Sequence, residues 1–334
     1  MKDISVIIPA YNVEKFLTHC LDSILASGPE SMEVLLINDG STDKTAEICF
    51  QYAKRDSRII LSNQNNSGAV AARNRGLDMA CGTYVLFVDA DDYVSSDYVH
   101  ALYKTALATS ADIVLCNLHR VRQGNIIETT NYPAKTLKLV AERLSLVKET
   151  YYPGPYAKMI HRKLLEDNAI RFLVEEGYFG FAEDMLFALH TTYTAQKIVF
   201  CPDAIYSYSM DNNNSICSNP LVQQRNNKDR LIIIRHMLDF ALQKELHGEA
   251  LLYVLQAVEN HLYWGGISTL QMFMSDLHER NYPEIITMHF QKFAEEWSKH
   301  SSMQAKIKEK IKKKLQHYPF LYKTISTIYS RLKN

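Results

Sequence analysis

No C-x-x-C pair occurs in the 334-residue chain, whose six cysteines (Cys20, Cys49, Cys81, Cys116, Cys201 and Cys217) are scattered along it. Their spacing excludes the common zinc clusters and a disulfide scaffold. Several fall on apolar faces of predicted elements, so reduced thiols are expected. No G-x-G-x-x-G follows the first apolar run, where "IIPAYNVEKF" places Pro9 and Tyr11 instead; the signature of a nicotinamide-dependent dehydrogenase is therefore missing. Missing too is the Gly-rich phosphate loop that a nucleotidyltransferase would carry near its N-terminus. No window approaches the roughly 18 apolar residues of a membrane span. "MKDISVIIPAYN" opens on a strand without a charged segment and long apolar run behind it, so a cytoplasmic chain is expected. Net charge is absent as well. The 37 Lys and Arg balance 37 Asp and Glu, and no whole-molecule field points to nucleic acid.

What is present is an ordinary globular composition, 47% hydrophobic and 22% charged, long enough for one sizeable α/β domain plus an appendage. Strand-like runs stand at Ile4–Pro9, Val34–Asn38, Arg58–Ser62, Tyr84–Asp89 and Asp112–Asn117. Helical spacing of apolar residues fills Glu14–Ser27 and Asp43–Arg55, the second behind Ser41 and Thr42 as candidate caps. Gly68–Ala80 reads as an Ala-rich helix. Strands separated by helices predict right-handed βαβ units and a mostly parallel, doubly wound sheet. Beyond it, "HRVRQGNIIETTN" predicts a hairpin around Gly124. A helix is expected near 137–150, another opens at Ala182–Glu183, and short strands are expected near Lys197–Cys201 and Ile205–Ser209. From about Gln223 the pattern is helical throughout. The boundary is placed near 218–222, giving domains 1–218 and 219–334.

The segment "YVLFVDADDYVSSDYV" (84–99) carries the first chemical signal, an apolar strand running into Asp89, Asp91 and Asp92. In open parallel sheets ligands sit beyond the carboxyl ends of the strands. Three predicted strands deliver polar groups there: Pro9–Tyr11–Asn12, Asn38–Asp39–Gly40–Ser41 and Asp89–Asp91–Asp92. Crowded carboxylates become stable beside a divalent cation that shares a phosphate ligand. In extended chain Asp89 and Asp91 would point the same way. An Asp-x-Asp turn is also what a solvated loop uses for its geometry alone.

Taken together, "ISVIIPAYN", "LLINDGSTDKT", "NSGAVAARNRGL" and "YVLFVDADD", in this order and spacing, resemble the family 2 glycosyltransferases of the GT-A fold. The resemblance is strong over residues 3–115, weaker to about 218, and absent beyond. It implies a nucleotide-sugar-binding half (1–115), an acceptor-binding half (116–218) and a UDP-sugar donor used with Mn²⁺ or Mg²⁺. It further implies that Pro9, Ala10 and Tyr11 wall the base and ribose, that Asp39 accepts the uracil N3–H, and that Asn66 and Gly68 let backbone approach the nucleotide. Arg73 would bridge carboxylates and diphosphate, while Arg75 faces solvent. Asp91 would hold the metal, with Asp89 at the ribose or the metal and Asp92 behind them. "FGFAEDMLFAL" resembles the family's Glu-Asp motif, implying Asp184 as general base and Glu183 as a contact of the acceptor hydroxyl, in an inverting single displacement. Acids are also favoured in any helix's first turn by the dipole. "YAKMIHRKLL" resembles a stretch bordering the acceptor site, with Lys158 its candidate cation and His161 a packed residue. Where the family often carries arginines before a Ser-Ile pair, this chain has Ser209, Met210 and Asp211, which shifts charge neutralisation toward the metal, Arg73 and Lys158.

The implied activity is transfer of a hexose or N-acetylhexosamine to a glycan acceptor, with or without a lipid carrier, in capsule, exopolysaccharide or cell-wall polysaccharide synthesis. A non-catalytic nucleotide-sugar-binding protein on the same fold would bind UDP without turnover. The last 34 residues hold nine Lys or Arg and one acid, Glu309. With Leu321, Ile325, Ile328 and Leu332 at helical spacing, they read either as a docked terminal helix or as a peripheral anchor on anionic lipid at the inner face of the cell membrane. Aromatic residues in 251–273 are assigned to a core or to a homodimer face.

Overall fold

The protein is described by a computed structural model over residues 2–148, 154–178, 180–212 and 223–298. Its N-terminal part alternates β1 (Ile4–Ala10), α1 (Leu17–Ser27), β2 (Met32–Asp39), α2 (Thr45–Arg55), β3 (Ile59–Gln64), α3 (Gly68–Met79) and β4 (Tyr84–Phe87). These strands lie in the order β3-β2-β1-β4 and pair in parallel throughout. Both sheet faces are covered, which is why the strands read as near-continuous apolar runs. Ile4, Val6 and Ile8 pack with α1 residues such as Leu17, Leu21 and Ile24 on one face. Ile7 packs with Val70, Ala72 and Leu77 of α3 on the other.

The chain continues through β5 (Tyr93–Val94), α4 (Tyr98–Thr109), β6 (Ile113–Arg122), β7 (Asn125–Thr129), β8 (Thr136–Leu137), α5 (Val140–Leu144), β9 (Lys158–His161), α6 (Arg162–Asp167), α7 (Glu183–Thr194) and β10 (Ile198–Ser209). Here the sheet departs from the mostly parallel expectation. β9 inserts antiparallel between β4 and β6, β6 and β10 pair in parallel, and β5 closes the edge antiparallel to β10. β9 follows a long excursion from β6, so it need not obey the crossover rule that makes consecutive βαβ strands parallel. The hairpin at Gly124 forms as expected, joining β6 to β7. The two strands expected near 197–209 are one, β10, with a register shift between Cys201 and Ile205. The helix expected near 137–150 is only α5 plus a 3₁₀ turn at Ser145–Lys148.

Ser41 and Thr42 do not cap α2. Asp43 does: its Oδ1 accepts the Thr45 N–H at 2.9 Å, while Ser41 Oγ accepts the Asn12 N–H. The Asp43 carboxylate, two residues before the first residue of α2 and one bond longer than a hydroxyl side chain, reaches the orphan amide that the hydroxyls do not.

Two helices follow, α8 (Gln223–Gln243) and α9 (Gly248–Glu279), the second kinked at Gly266; residues 284–298 are helical too. One compact unit takes in Met1–Asn213 with Gln224–His261, so α8 and the start of α9 belong with the sheet; the other holds Leu262 onward. In the second unit Phe273 and Phe290 meet edge to face at 4.9 Å. The expected boundary at 218–222 and the basic segment 303–334 lie outside the described residues. Among the described residues, no helix is long and apolar enough to cross a membrane.

Candidate active site

β1 and β2 end side by side, Ala10 opposite Asn38, so the loops leaving them share one crevice. Asn12, in the left-handed region at φ 52°, accepts the Thr42 N–H at 2.8 Å and ties the two loops together. Pro9 and Ala10 end β1, and Tyr11 stands exposed beside them. Asp39, at the end of β2, is buried and accepts three hydrogen bonds. Its Oδ1 accepts from Gln64 Nε2 (2.7 Å) and the Ser67 N–H (2.8 Å), and its Oδ2 accepts the Gly68 N–H (2.8 Å). A carboxylate from β2 therefore caps α3, satisfying two of its orphan amides from across the sheet. Three donors occupy three of about four acceptor positions, which leaves one for an incoming imide. Gly40 makes this geometry accessible: at φ +70° it runs so close to Asn66 that a Cβ would lie 2.7 Å from the Asn66 nitrogen.

β4 ends at Phe87, two residues earlier than expected, and Asp89 to Asp92 form a turn closed by the Asp92 N–H donating to the Asp89 carbonyl at 3.0 Å. The strand alternation expected to align Asp89 with Asp91 therefore does not apply. The turn still brings them near enough for the Asp89 charge to act on Asp91. Burial first, then Asp89, raises the Asp91 pKa, against the Asn212 amide that donates to Oδ2 at 2.8 Å. Asp92 turns inward. Buried, it accepts from Tyr206 Oη and the Ser209 N–H, both at 2.7 Å, pinning β10 to the turn.

Arg73, on α3 and 7% exposed, joins the motifs. One guanidinium nitrogen donates to Asp89 Oδ1 at 3.0 Å and the other to Glu183 Oε1 at 2.5 Å. Burial alone would lower the Arg73 pKa; Asp89 and Glu183 raise it above its ordinary value instead. The Asp-x-Asp turn and the Glu-Asp motif, distant in sequence, are thus clasped by one side chain.

Glu183 and Asp184 occupy the first turn of α7, entered through Ala182 at φ +65°. Burial pushes Glu183 up to about 7, opposed by Arg73 and helped by the neighbouring Asp184. Burial likewise raises Asp184, against Arg73, the Met185 N–H and Lys158. Lys158, at the start of β9 and 2% exposed, is drawn down to about 7 by burial, with Asp184 opposing. A buried carboxylate raised in this way is a stronger proton acceptor than a solvated one.

The structure thus groups Arg73, Asp89, Asp91, Glu183, Asp184 and Lys158, and places Asp39 and Gly68 at the neighbouring strand end. Asn66 is exposed on the loop before α3. Arg75 is exposed, as expected, and donates to Ser62; His161 packs edge-on against Tyr84 at 5.1 Å. Sequence reasoning did not find Gln64, Tyr206, Asn212 or Tyr156, which stacks on Tyr206 at 5.2 Å. Among these, Asn212 carried a signal as a polar residue in an Asn-rich loop after a strand, and Tyr156 as the aromatic that opens "YAKMIHRKLL".

Parallel strands β3-β2-β1-β4 with acidic turns at their carboxyl ends, continued by a mixed half-sheet, make up a GT-A architecture. Residues 5–168 match the family described as glycosyl transferase family 2. Over that segment, just under half of its length, the chain is similar to that family. EpsJ of Bacillus subtilis, named an uncharacterized glycosyltransferase, is 34% identical over 224 residues, 65% of this chain and 63% of EpsJ. Glycosyltransferase GlyA of Streptococcus pneumoniae is 32% identical over 221 residues, 61% of this chain and 30% of GlyA. The crystal structure of Staphylococcus aureus TarS 1–349 shares the fold with a TM-score of 0.63 at 23% identity, covering 84% of this chain and 82% of that one. The same TarS fragment is also known in complex with UDP-GlcNAc. The chain spans less than two thirds of the length of these curated relatives, 63% of EpsJ and 30% of GlyA.

Proposed function

We propose that the chain is a metal-dependent inverting glycosyltransferase. It would move a hexose or N-acetylhexosamine from a UDP-sugar to a glycan acceptor of a capsule, exopolysaccharide or cell-wall polysaccharide, at the cytoplasmic face of the membrane. The observation that carries this reading is the Arg73 clasp, which sets the Asp-x-Asp turn and the Glu-Asp pair on either side of one guanidinium. The TarS complex with UDP-GlcNAc supports a UDP-sugar donor.

Asp184 takes the proton from the acceptor hydroxyl as that oxygen attacks the anomeric carbon, and the carbon–phosphate-oxygen bond breaks with inversion. Glu183 hydrogen-bonds the same acceptor, held in place by Arg73. Lys158 adds an amine beside Asp184, its pKa drawn down to about 7 by burial. Asp39 offers its remaining lone pair to the base.

Asp91 and Asp89 fit a divalent ion by the chemistry of their oxygens. Asp91 Oδ2 accepts from Asn212 and Asp89 Oδ1 from Arg73, and each carboxylate has a second oxygen to offer an ion. Two carboxylates rather than a closed protein cage suit Mn²⁺ or Mg²⁺ shared with a diphosphate. Bound there, the ion would offset leaving-group charge.

The test is UDP release across UDP-sugars, with and without Mn²⁺, on the wild type and Asp91→Ala. Metal-stimulated release that Asp91→Ala loses supports the reading. Turnover independent of metal and unchanged in the variant overturns the metal site, and UDP binding without turnover overturns the activity.

A further inference from the structure

The Glu183–Asp184 pair hangs from a turn that its own backbone does not favour. Ala182 sits at φ +65°, a conformation costing a side-chain-bearing residue about 1–2 kcal/mol, and Gly177 and Gly180 on its approach also have positive φ. Such a turn persists only where surroundings over-determine it. On one side is α3, the helix of Arg73: a Cβ on Gly180 would lie 2.9 Å from Val70 Cγ2. On the other is α8. Asp229, 1% exposed, accepts the Phe181 N–H on Oδ2 at 3.0 Å. The neighbouring Arg230 lays its guanidinium 4.6 Å from the centroid of the Phe181 ring. Arg230 is itself oriented by His261 of α9, whose Nδ1 lies 3.2 Å from Arg230 Nη1. A guanidinium only donates, so His261 Nδ1 accepts, and burial keeps that imidazole neutral by drawing its pKa down to about 3. Tyr178 Oη, donating to the Phe181 carbonyl at 3.1 Å, holds the following peptide, on the other side of the same residue.

We propose that Asp229 and Arg230 are positioning residues for the transfer reaction. Seated on α8, they grip Phe181 by its amide and its ring, and so hold the strained turn that aims Glu183 and Asp184 at the acceptor. The helical segment after the sheet would then be part of the catalytic apparatus although it touches no substrate. The proposal rests on the function proposed above for the Glu183–Asp184 pair. Asp229 acts on the Phe181 amide beside the Glu183–Asp184 pair, whereas Asp39 caps α3 at the nucleotide crevice, so donor binding and chemistry should separate.

The experiment compares full-length wild type, Asp229→Ala and Asp229→Asn, the last retaining an oxygen that can accept the Phe181 N–H. Asp229→Ala should lower kcat about tenfold to a hundredfold, the scale of a small misplacement of reacting groups. Its UDP affinity and KM for the UDP-sugar should stay near the wild-type values, and Asp229→Asn should recover most of the loss. Amide exchange of the peptide spanning residues 176–186 should accelerate in Asp229→Ala and not in Asp229→Asn. Wild-type kcat and unchanged exchange in Asp229→Ala overturn the proposal. So does a loss of UDP binding in step with global unfolding, which would mark Asp229 as merely structural. If the wild type binds UDP but transfers no sugar, the proposed function fails, and unaltered exchange in Asp229→Ala would separately overturn the seat itself.

Discussion

Asp184 and Lys158 face each other's charge in a buried setting, and their pKa directions make two predictions. A base must be ionised to act, so activity is lost as pH falls through the raised Asp184 pKa. The acid limb of kcat against pH should therefore lie above the ordinary aspartate value of about 4. Asp184→Asn should lower kcat by about 10²- to 10⁴-fold with UDP affinity retained, read by UDP release and by calorimetric titration. For Lys158 the folded-state pKa is drawn from 10.5 to about 7. The neutral amine is the form that folding favours, so its contribution is fully present above 10.5 and is lost as pH falls toward 7. Below that the buried ammonium is a burden. Lys158→Met, similar in length and uncharged, should therefore raise thermal stability at pH 6 by on the order of 1 kcal/mol or more while lowering kcat. A melting curve at pH 6 and at pH 9 checks the sign, since the gain should shrink at the higher pH.

At the scale of elements, α3 is the piece on which the site turns. It is capped from β2 by Asp39, packed on β1 through Gly76 and fitted with Arg73 on the face toward the acidic turn. Asp39→Ala would leave Gln64 Nε2 and the Ser67 and Gly68 amides without their acceptor. A loss of about 2–4 kcal/mol is expected in denaturant unfolding, together with weaker UDP binding. Gly76 shows the limit on packing: a Cβ there would collide with the Ile7 side chain, so Gly76→Ala should cost about 1–3 kcal/mol by overpacking. The helix itself was legible, since small residues at Gly68–Ala80 announce close packing on a sheet. Its cap was not. An acceptor on another strand leaves no local mark, whereas the cap of α2 is local: Asp43, next after Ser41 and Thr42, takes the amide in their place.

Across the whole molecule, the sheet divides into a parallel half that carries the nucleotide crevice and a mixed half that brings Lys158, Asp184 and the Tyr206–Asp92 pin to its edge. If a divalent ion completes the site, chelation should abolish UDP release and Mn²⁺ should restore it. The melting temperature without nucleotide should move little, because the described residues contain no cluster of three or more metal-binding side chains that would need the ion to fold. The basic segment 303–334 makes a separate prediction through its charge. Full-length chain should co-sediment with anionic vesicles more than a chain ending at residue 300, and equal sedimentation would end the idea of an anchor.

The strand–turn–helix order and the polar groups at three strand ends were readable from residues alone, because each is a short-range pattern in which polar residues follow an apolar strand. Tertiary structure decided the rest. The insertion of β9 against β4, the clasp of Arg73 on Glu183 across 110 positions and the hold of Asp229 on the Phe181 amide depend on how distant segments are brought together. Contacts at that separation repeat with no period, and only a folded chain reveals them.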